Sequence, residues 1–260
     1  MKMRSQKEQL KKLQVWNWSM AALHFVQGVI MVLISNNSSL PVVTSYLKID
    51  PNNPVFGVAP LPEHLFDLRL GPTVAVFLFL SAFAHFLLAG PLREWYEENL
   101  KKGINKLRWA EYALSSSVMI VVIAMLCGVY DLWLLISLFA LNAIMNLMGL
   151  MMEVHNQTTK HTNWLSYWIG VLAGLIPWLV IVAFFIGAVQ STGVEIPTFV
   201  YFIVATIFVT FNIFAINMVL QYKKIGKWQD YLYGEKAYMI LSLVAKSALA
   251  WQMFSGTLRP

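Results

Sequence analysis

The stretch Ala237–Phe254, AYMILSLVAKSALAWQMF, is almost entirely apolar and carries one charged residue, Lys246, near its middle. A helix needs about 20 residues to cross the ~30 Å hydrocarbon core of a bilayer, and this stretch is close to that length. No water reaches that core to hydrogen-bond an open backbone, so the stretch is predicted to be a transmembrane helix.

Six stretches of similar composition precede it. They are Val15–Ile34, Leu70–Leu88, Trp109–Cys127, Leu132–Met152, Leu165–Val189 and Thr198–Leu220. The chain is 58% hydrophobic and 12% charged, whereas soluble domains carry about 25% charged residues. None of the stretches alternates apolar and polar residues as the strands of a membrane barrel do. The sequence therefore predicts an all-α membrane protein, a single domain over residues 1–260, with seven helices near 14–35, 69–90, 105–127, 131–153, 163–190, 197–221 and 235–256.

The basic residues lie mainly on one side of these spans. That side holds Lys2, Arg4, Lys7, Lys11, Lys12, Arg93, Lys101, Lys102, Lys106, Arg108, Lys160, Lys223, Lys224, Lys227 and Lys236, and the other holds Lys48, Arg69 and Arg259. Because basic residues favour the cytoplasmic side, we expect a cell-membrane protein with its N-terminus inside and its C-terminus outside. The net charge of +6 then belongs to the membrane surface, and no soluble basic face for nucleic acid is expected.

The first and second spans are joined by a long connection, Ser35–Asp67, on the predicted extracellular side. It contains prolines at positions 41, 51, 54, 60 and 62. Within it, Val42–Ile49 is rich in β-branched residues, which predicts a short strand. Long loops of this kind are usually functional or ordered by packing. We expect a cap over the outer face or a contact between two copies in a homodimer.

Lys246 requires an explanation, because a charge at the bilayer centre costs about 2.5–3.5 kcal/mol on insertion scales. It follows Lys236, the predicted cytoplasmic edge, by about 15 Å of helix, too far for its ammonium to reach the interface. Glu111 of the third span is the expected partner. The pair has two interpretations: a structural ion pair, or a lysine in a dry pocket that forms a Schiff base with a carbonyl compound.

Other polar residues accompany this pair within the predicted spans. His24, Ser81 and His85 could form a polar cavity that holds water. Glu153 lies near the end of the fourth span, where a carboxylate can reach water. The spacing of histidines, carboxylates and the single cysteine, Cys127, matches no metal site, and none is predicted.

Two strings carry a family resemblance, Arg108-Trp109-Ala110-Glu111-Tyr112 and Ser242-Leu243-Val244-Ala245-Lys246-Ser247. Together with His24, His85, the Asn142–Gly149 stretch and the proline-bearing loop, they resemble the heliorhodopsins over the whole chain. These are rhodopsins of inverted orientation, which agrees with the predicted cytoplasmic N-terminus.

The resemblance implies a rhodopsin-like bundle in which Lys246 carries all-trans retinal as a protonated Schiff base, with Glu111 as its sole carboxylate counterion. Arg108 would shape the cytoplasmic end of the site, and His24, Ser81 and His85 would form the family's hydrated cavity. The implied retinal-pocket positions are Tyr112, Ser116, Met145, Gly149, Trp168, Phe211, Asn212 and Ser242.

Two positions separate this chain from ordinary light-driven proton pumps. Those pumps place an aspartate four residues before the retinal lysine and a proton donor eleven residues after the carboxylate of the third span, and here these positions are Ser242 and Val122. We therefore expect a light sensor that acts through a cytoplasmic partner and not as an enzyme. The alternatives are a light-gated proton channel or transporter using Glu111, His24 and His85, and a retinal-free transporter in which Lys246 balances a substrate charge.

Overall fold

The computed structural model describes residues 6–46, 62–191 and 196–258. The elements are α1 (Gln6–Ile34), β1 (Ser39–Thr44), β2 (Glu63–Arg69), α2 (Leu70–Ala89), α3 (Arg93–Lys101), α4 (Lys106–Leu126), α5 (Leu132–His155), α6 (Leu165–Ser191), α7 (Thr198–Tyr222) and α8 (Tyr231–Met253). A 3-10 turn, Gly226–Gln229, joins α7 to α8, and a π-helical turn, Phe254–Leu258, follows α8.

Seven of these helices are long and apolar enough to span a bilayer, which confirms the predicted seven-helix membrane fold. Large apolar side chains on their outer faces are exposed, as for Phe83, Leu172 and Phe202. Polar side chains such as Asn17, Ser117 and Asn142 are buried between the helices. A soluble protein would show the opposite arrangement, so the bundle belongs to a multi-pass membrane protein.

The helices pack in a closed bundle around α4. α1 contacts α2 and α8, α2 contacts α4, α4 contacts α5, α5 contacts α6, and α7 contacts α8. Aromatic pairs join α6 to α7, with the rings of Trp178 and Phe208 5.1 Å apart. α4 therefore faces most of the other spans, and its polar residues lie inside the bundle.

Polar side chains set several helix ends. Asn105 caps α4 by accepting a hydrogen bond from the Arg108 amide, at 3.0 Å. Asp230 accepts one from the Leu232 amide at 3.0 Å, and α8 begins there, ahead of the start that the sequence predicted near residue 235. α1 begins at Gln6, well before residue 14, because its lysine- and glutamine-rich start continues the helix.

The connection between α1 and α2 contains more strand than predicted. β1 and β2 form an antiparallel hairpin with a register shift between Val42 and Val43. The predicted strand Val42–Ile49 overlaps β1 at Val42–Thr44, and residues 47–49 lie outside the described residues. The second strand was missed, since Glu63–Arg69 mixes charged and apolar residues without a simple alternation. The predicted outer basic residues Lys48 and Arg259 also lie outside the described residues.

The bundle has two distinct ends. The hairpin end carries β1, β2 and the turn between α4 and α5. The basic end carries the start of α1, the short helix α3, the α5–α6 connection and the α7–α8 turn. α3 was predicted only as a connection, but its polar and apolar residues segregate and bury Tyr96 and Leu100 against the bundle. This amphipathic helix gives the basic end a second layer.

Candidate functional site

Lys246 and Glu111 form an ion pair inside the bundle. The Lys246 Nζ atom lies 2.8 Å from Glu111 Oε1, and the two residues are 3% and 8% exposed. Lys246 comes from α8 and Glu111 from α4, so the predicted partner is the one that the fold brings to the lysine. A buried ammonium and a buried carboxylate stabilise each other's charged forms at this distance.

Two serines complete the immediate surroundings of the pair. Lys246 Nζ donates a second hydrogen bond to Ser242 Oγ, at 2.9 Å, one helical turn earlier on α8. Ser81 Oγ of α2 donates to Glu111 Oε1 at 2.6 Å. The carboxylate is thus held by three helices, α2, α4 and α8, and its position is fixed from several directions.

A narrow cavity of about 40 Å³ extends from Lys246 toward α5 and α7. Its lining is aromatic and apolar with a few polar groups, namely Tyr112, Ser116, Met119, Met145, Asn146, Phe211, Phe214, Ser242, Ala245 and Lys246. The polar wall is ordered by hydrogen bonds to Ser116 Oγ from the amides of Asn142, at 2.7 Å, and Asn146, at 3.0 Å. An apolar slot with an amine at one end suits an elongated hydrophobic molecule that carries a carbonyl group.

The structure does not bring every predicted pocket residue to this cavity. Tyr112, Ser116, Met145, Phe211 and Ser242 line it. Gly149 instead lies against the Trp109 ring, where a Cβ atom would collide. Trp168 is 63% exposed on α6, and Asn212 is exposed and donates to the Phe208 carbonyl of its own helix. α6 is almost uniformly apolar, so its sequence did not reveal which face turns inward, and on α7 the buried polar residues include Thr210 and Asn217 but not Asn212.

The arrangement of a buried lysine, a paired carboxylate and an aromatic slot in seven helices agrees with the sequence comparison. The family model of the heliorhodopsins matches residues 13–258. The chain belongs to the heliorhodopsin family. No curated protein shows a significant match to it. The match spans nearly the whole chain.

Membership of the heliorhodopsins implies a rhodopsin-type photoreceptor with a retinal chromophore bound to a lysine. Of the lysines that the structure describes, Lys246 is the buried one. Its amine faces the aromatic slot. The apolar lining of this slot suits the conjugated hydrocarbon chain of retinal. The free space of about 40 Å³ is well below the range of about 300–1,000 Å³ usual for ligand pockets, so side chains lining the slot would have to move to admit retinal.

The two histidines that the sequence predicted to form a polar cavity in this heliorhodopsin lie beside the ion pair. The rings of His24 and His85 are parallel with centroids 5.9 Å apart, and His85 Nδ1 lies 2.7 Å from Asn17 Oδ1. Neither ring nitrogen of His24 bonds a protein group among the described residues. Buried polar nitrogens of this kind are normally satisfied by water. Asn17 was missed, because a single asparagine in an apolar span carries no distinctive pattern.

A second buried charge cluster lies toward the basic end of the heliorhodopsin bundle. The Arg108 guanidinium pairs with Glu153, at 2.5 Å, and with Glu235. The expectation that Glu153 reaches water is wrong, since it is 1% exposed. Glu235 was missed, although it lies eleven residues before Lys246, a spacing of three helical turns that places both on one face of α8.

Neutral donors complete this cluster and connect it to the pair. Asn105 and Tyr96 donate to Glu235, at 2.6 Å and 3.1 Å. Burial, and then the nearby Glu235 carboxylate, raise the pKa of Tyr96 well above its usual range, so its hydroxyl remains a donor at neutral pH. A polar cavity of about 20 Å³, large enough for a single water, separates Arg108 and Glu235 from Glu111.

Proposed function

We propose that this protein is a light sensor in which Lys246 carries all-trans retinal as a protonated Schiff base and Glu111 is the counterion. When bound, retinal supplies light absorption and photoisomerisation. Lys246 fixes the chromophore covalently, Glu111 balances the positive charge, and Ser81 orients Glu111. The proposal includes a cytoplasmic N-terminus, which the concentration of basic residues at the basic end supports.

The observation that carries the proposal is the buried contact between Lys246 Nζ and Glu111 Oε1, at 2.8 Å. An unpaired cation at this depth would be costly, so Glu111 must remain ionised in the dark. A photoreaction that displaces the nitrogen would disturb this contact. The buried carboxylates around Arg108 lie next along the bundle, between the pair and the basic end.

The polar groups around Lys246 support sensing over pumping. Its ammonium bonds one carboxylate, Glu111, among the described residues, and its second acceptor is the hydroxyl of Ser242. At the position of a pump's proton donor, Val122 is fully buried and apolar. A directional proton path needs titratable groups on both sides of the chromophore. Among the described residues, the buried carboxylates Glu111, Glu153 and Glu235 lie toward the basic end, on one side only.

Reconstitution with retinal tests the chromophore assignment. Wild-type protein should form a visible pigment that hydroxylamine bleaches in light, and Lys246→Ala should form none. Lys236→Ala, which removes a half-buried lysine of the same helix, is the control and should form pigment. Glu111→Gln should absorb at longer wavelength, because the positive charge loses its nearby anion. A visible pigment in Lys246→Ala would disprove the proposal.

A light-gated proton channel is a second candidate, and the stacked pair His24 and His85 favours it. These rings and Glu111 place three titratable groups together inside the membrane. Photocurrents in voltage-clamped cells distinguish the two functions. A current that disappears in His85→Ala would support the channel, whereas a flat trace with a normal photocycle supports the sensor.

We further propose a homodimer that pairs through the hairpin end. Leu65 and Phe66 of β2 are 40% and 47% exposed, and Phe66 borders an apolar groove with Leu132 and Ile136 of α5. Covering this surface in a second copy would remove apolar area from water. Light scattering of the detergent-solubilised protein should give the mass of a dimer, and Phe66→Asp should give a monomer. A monomeric wild type would contradict this arrangement.

A further inference from the structure

A large open groove of about 1420 Å³ crosses the basic end of the bundle. Its walls come from α1, the end of α3, the α5–α6 connection and the α7–α8 turn. We call it the basic groove, lined by Gln9, Leu100, Lys101, Lys102, Gly103, Asn156, Gln157, Thr159, Lys160, His161, Thr162, Gln221, Tyr222, Lys224, Trp228, Gln229, Asp230, Tyr231 and Leu232.

The basic groove carries a strong excess of positive charge. Lys101, Lys102, Lys160 and Lys224 line it, and its described wall contains one carboxylate, Asp230, which is already engaged in capping α8. None of these lysines forms an ion pair with a carboxylate in the part of the chain that the structure describes. Among the residues that the structure describes, these four ammonium groups therefore have no internal counter-charge, which leaves them available to an anionic ligand.

The groove also offers aromatic contact surface. Tyr222, Trp228 and Tyr231 are half-buried in its lining. Trp228 is held by a hydrogen bond from its indole nitrogen to Asn217 Oδ1, at 2.6 Å. Lys224 adopts a φ of 52°, a left-handed conformation uncommon for residues with a side chain. Tryptophan and tyrosine side chains are enriched at protein-binding surfaces.

A continuous set of contacts connects the basic groove to the Schiff-base counterion. Tyr231 lines the groove, and its hydroxyl donates to Glu153 Oε1 at 3.1 Å. Glu153 pairs with Arg108, which also pairs with Glu235. The small polar cavity then separates this cluster from Glu111. Three residue contacts and one water-sized space thus separate Glu111 from the groove. A change of charge or position at Glu111 would be transmitted through them.

We propose that the basic groove binds an acidic segment of a soluble partner protein and that Tyr231 transmits the state of the chromophore to it. The lysines give charge complementarity to glutamate and aspartate side chains, and the aromatic residues accommodate the segment's apolar side chains. The volume exceeds the range of about 300–1,000 Å³ usual for small-ligand sites, which favours a peptide. The dependence on light rests on the proposed photosensory function; the binding of the segment in the dark does not.

Fluorescence anisotropy with a defined peptide tests the binding. The probe is a fluorescein-labelled peptide of about ten alternating glutamate and tyrosine residues, long enough to follow an extended groove. Retinal-loaded protein in phosphatidylcholine nanodiscs should bind it, and binding should weaken as salt rises. Replacing the groove lysines by glutamine, in Lys101→Gln, Lys102→Gln, Lys160→Gln and Lys224→Gln together, should weaken binding about tenfold.

The matched control removes four exposed lysines of the same end that do not line the groove, in Lys7→Gln, Lys11→Gln, Lys12→Gln and Lys106→Gln together. It changes the net charge equally and should retain binding within about twofold. Equal loss in both variants would overturn the groove as the binding site. If the groove variant loses binding to phosphatidylserine vesicles but still binds the peptide, the groove recognises lipid and the acidic-segment assignment is overturned.

Tyr231→Phe tests the transmission, since it removes the hydroxyl that contacts Glu153 and keeps the ring. In wild type, illumination should change the peptide affinity by about fivefold, within the usual range of coupling between sites. In Tyr231→Phe, dark affinity should be retained and the light effect should disappear. An unchanged light effect would exclude Tyr231 as the connection.

These outcomes separate the inference from the proposed function. If no pigment forms with retinal, the photosensory function fails, and lysine-dependent binding of the peptide can still be measured. If pigment forms and the groove variant binds the peptide as the control variant does, the groove assignment fails and the sensor remains.

Discussion

Ser81 Oγ and Lys246 Nζ both donate to the same atom, Glu111 Oε1, at 2.6 Å and 2.8 Å. The hydroxyl comes from α2 and the ammonium from α8, so one carboxylate oxygen joins two helices that flank α4. A carboxylate with two donors on one oxygen is stabilised in its charged form. The charged state of Glu111, the proposed counterion, therefore depends on a serine as well as on the lysine.

Ser81→Ala should shift the acid-induced colour change of the pigment to higher pH. Protonating Glu111 removes the counter-charge and moves absorption to longer wavelength. Without the Ser81 hydrogen bond, Glu111 should become protonated at a pH about one unit higher. This shift corresponds to the free energy of one hydrogen bond to a charged group. Absorption spectra recorded during an acid titration measure the shift. Ser137→Ala removes an exposed hydroxyl bonded only to its own helix and should leave the titration unchanged.

Arg108→Met should destabilise the bundle strongly. It leaves Glu153 and Glu235 buried without their cation, and breaking a buried ion pair on one side typically costs about 3–5 kcal/mol. Circular dichroism during heating should show a lower unfolding midpoint. Adding Glu153→Gln and Glu235→Gln to Arg108→Met should recover part of the loss, because the uncompensated charges are gone. A triple variant less stable than Arg108→Met would contradict the electrostatic explanation.

Gly149→Ala should destabilise the protein, because the new methyl group collides with the Trp109 ring across the α4–α5 contact. Overpacking of this kind costs about 1–3 kcal/mol. Gly187→Ala is the matched control on α6, where a Cβ atom meets open space. It should be neutral, or stabilising by up to about 1 kcal/mol through helix propensity. Thermal unfolding of both variants measures the difference, and equal midpoints would argue against the close contact.

Cys127 should react very slowly with maleimide in the folded protein at pH 8. Burial raises the pKa of its thiol to about 12, so little of the reactive thiolate forms below that pH. Labelling should accelerate after denaturation and, in the folded state, as pH rises toward 12. Thr158→Cys in a Cys127→Ser background places a thiol in the exposed α5–α6 connection and should label rapidly. Rapid labelling of native Cys127 would show that the residue is accessible.

The amino-acid sequence by itself determined the seven spans and the pairing of Lys246 with Glu111. Each span is recognisable from its own residues, because the bilayer admits only long apolar helices whose backbone groups bond internally. A charge in the middle of such a span needs a partner at a similar depth, and the candidates are few. These inferences depend on composition and depth, which a single sequence contains.

Only the tertiary structure decided which faces of the helices meet. Trp168 and Asn212 turn away from the cavity, Glu153 turns inward to Arg108, and Glu235 joins them. The rotation of a helix about its axis is set by side-chain packing against its neighbours, and a helix that is apolar on all sides does not encode it locally. The basic groove depends on packing in the same way, since its lysines come from three separate connections that meet only when the bundle closes.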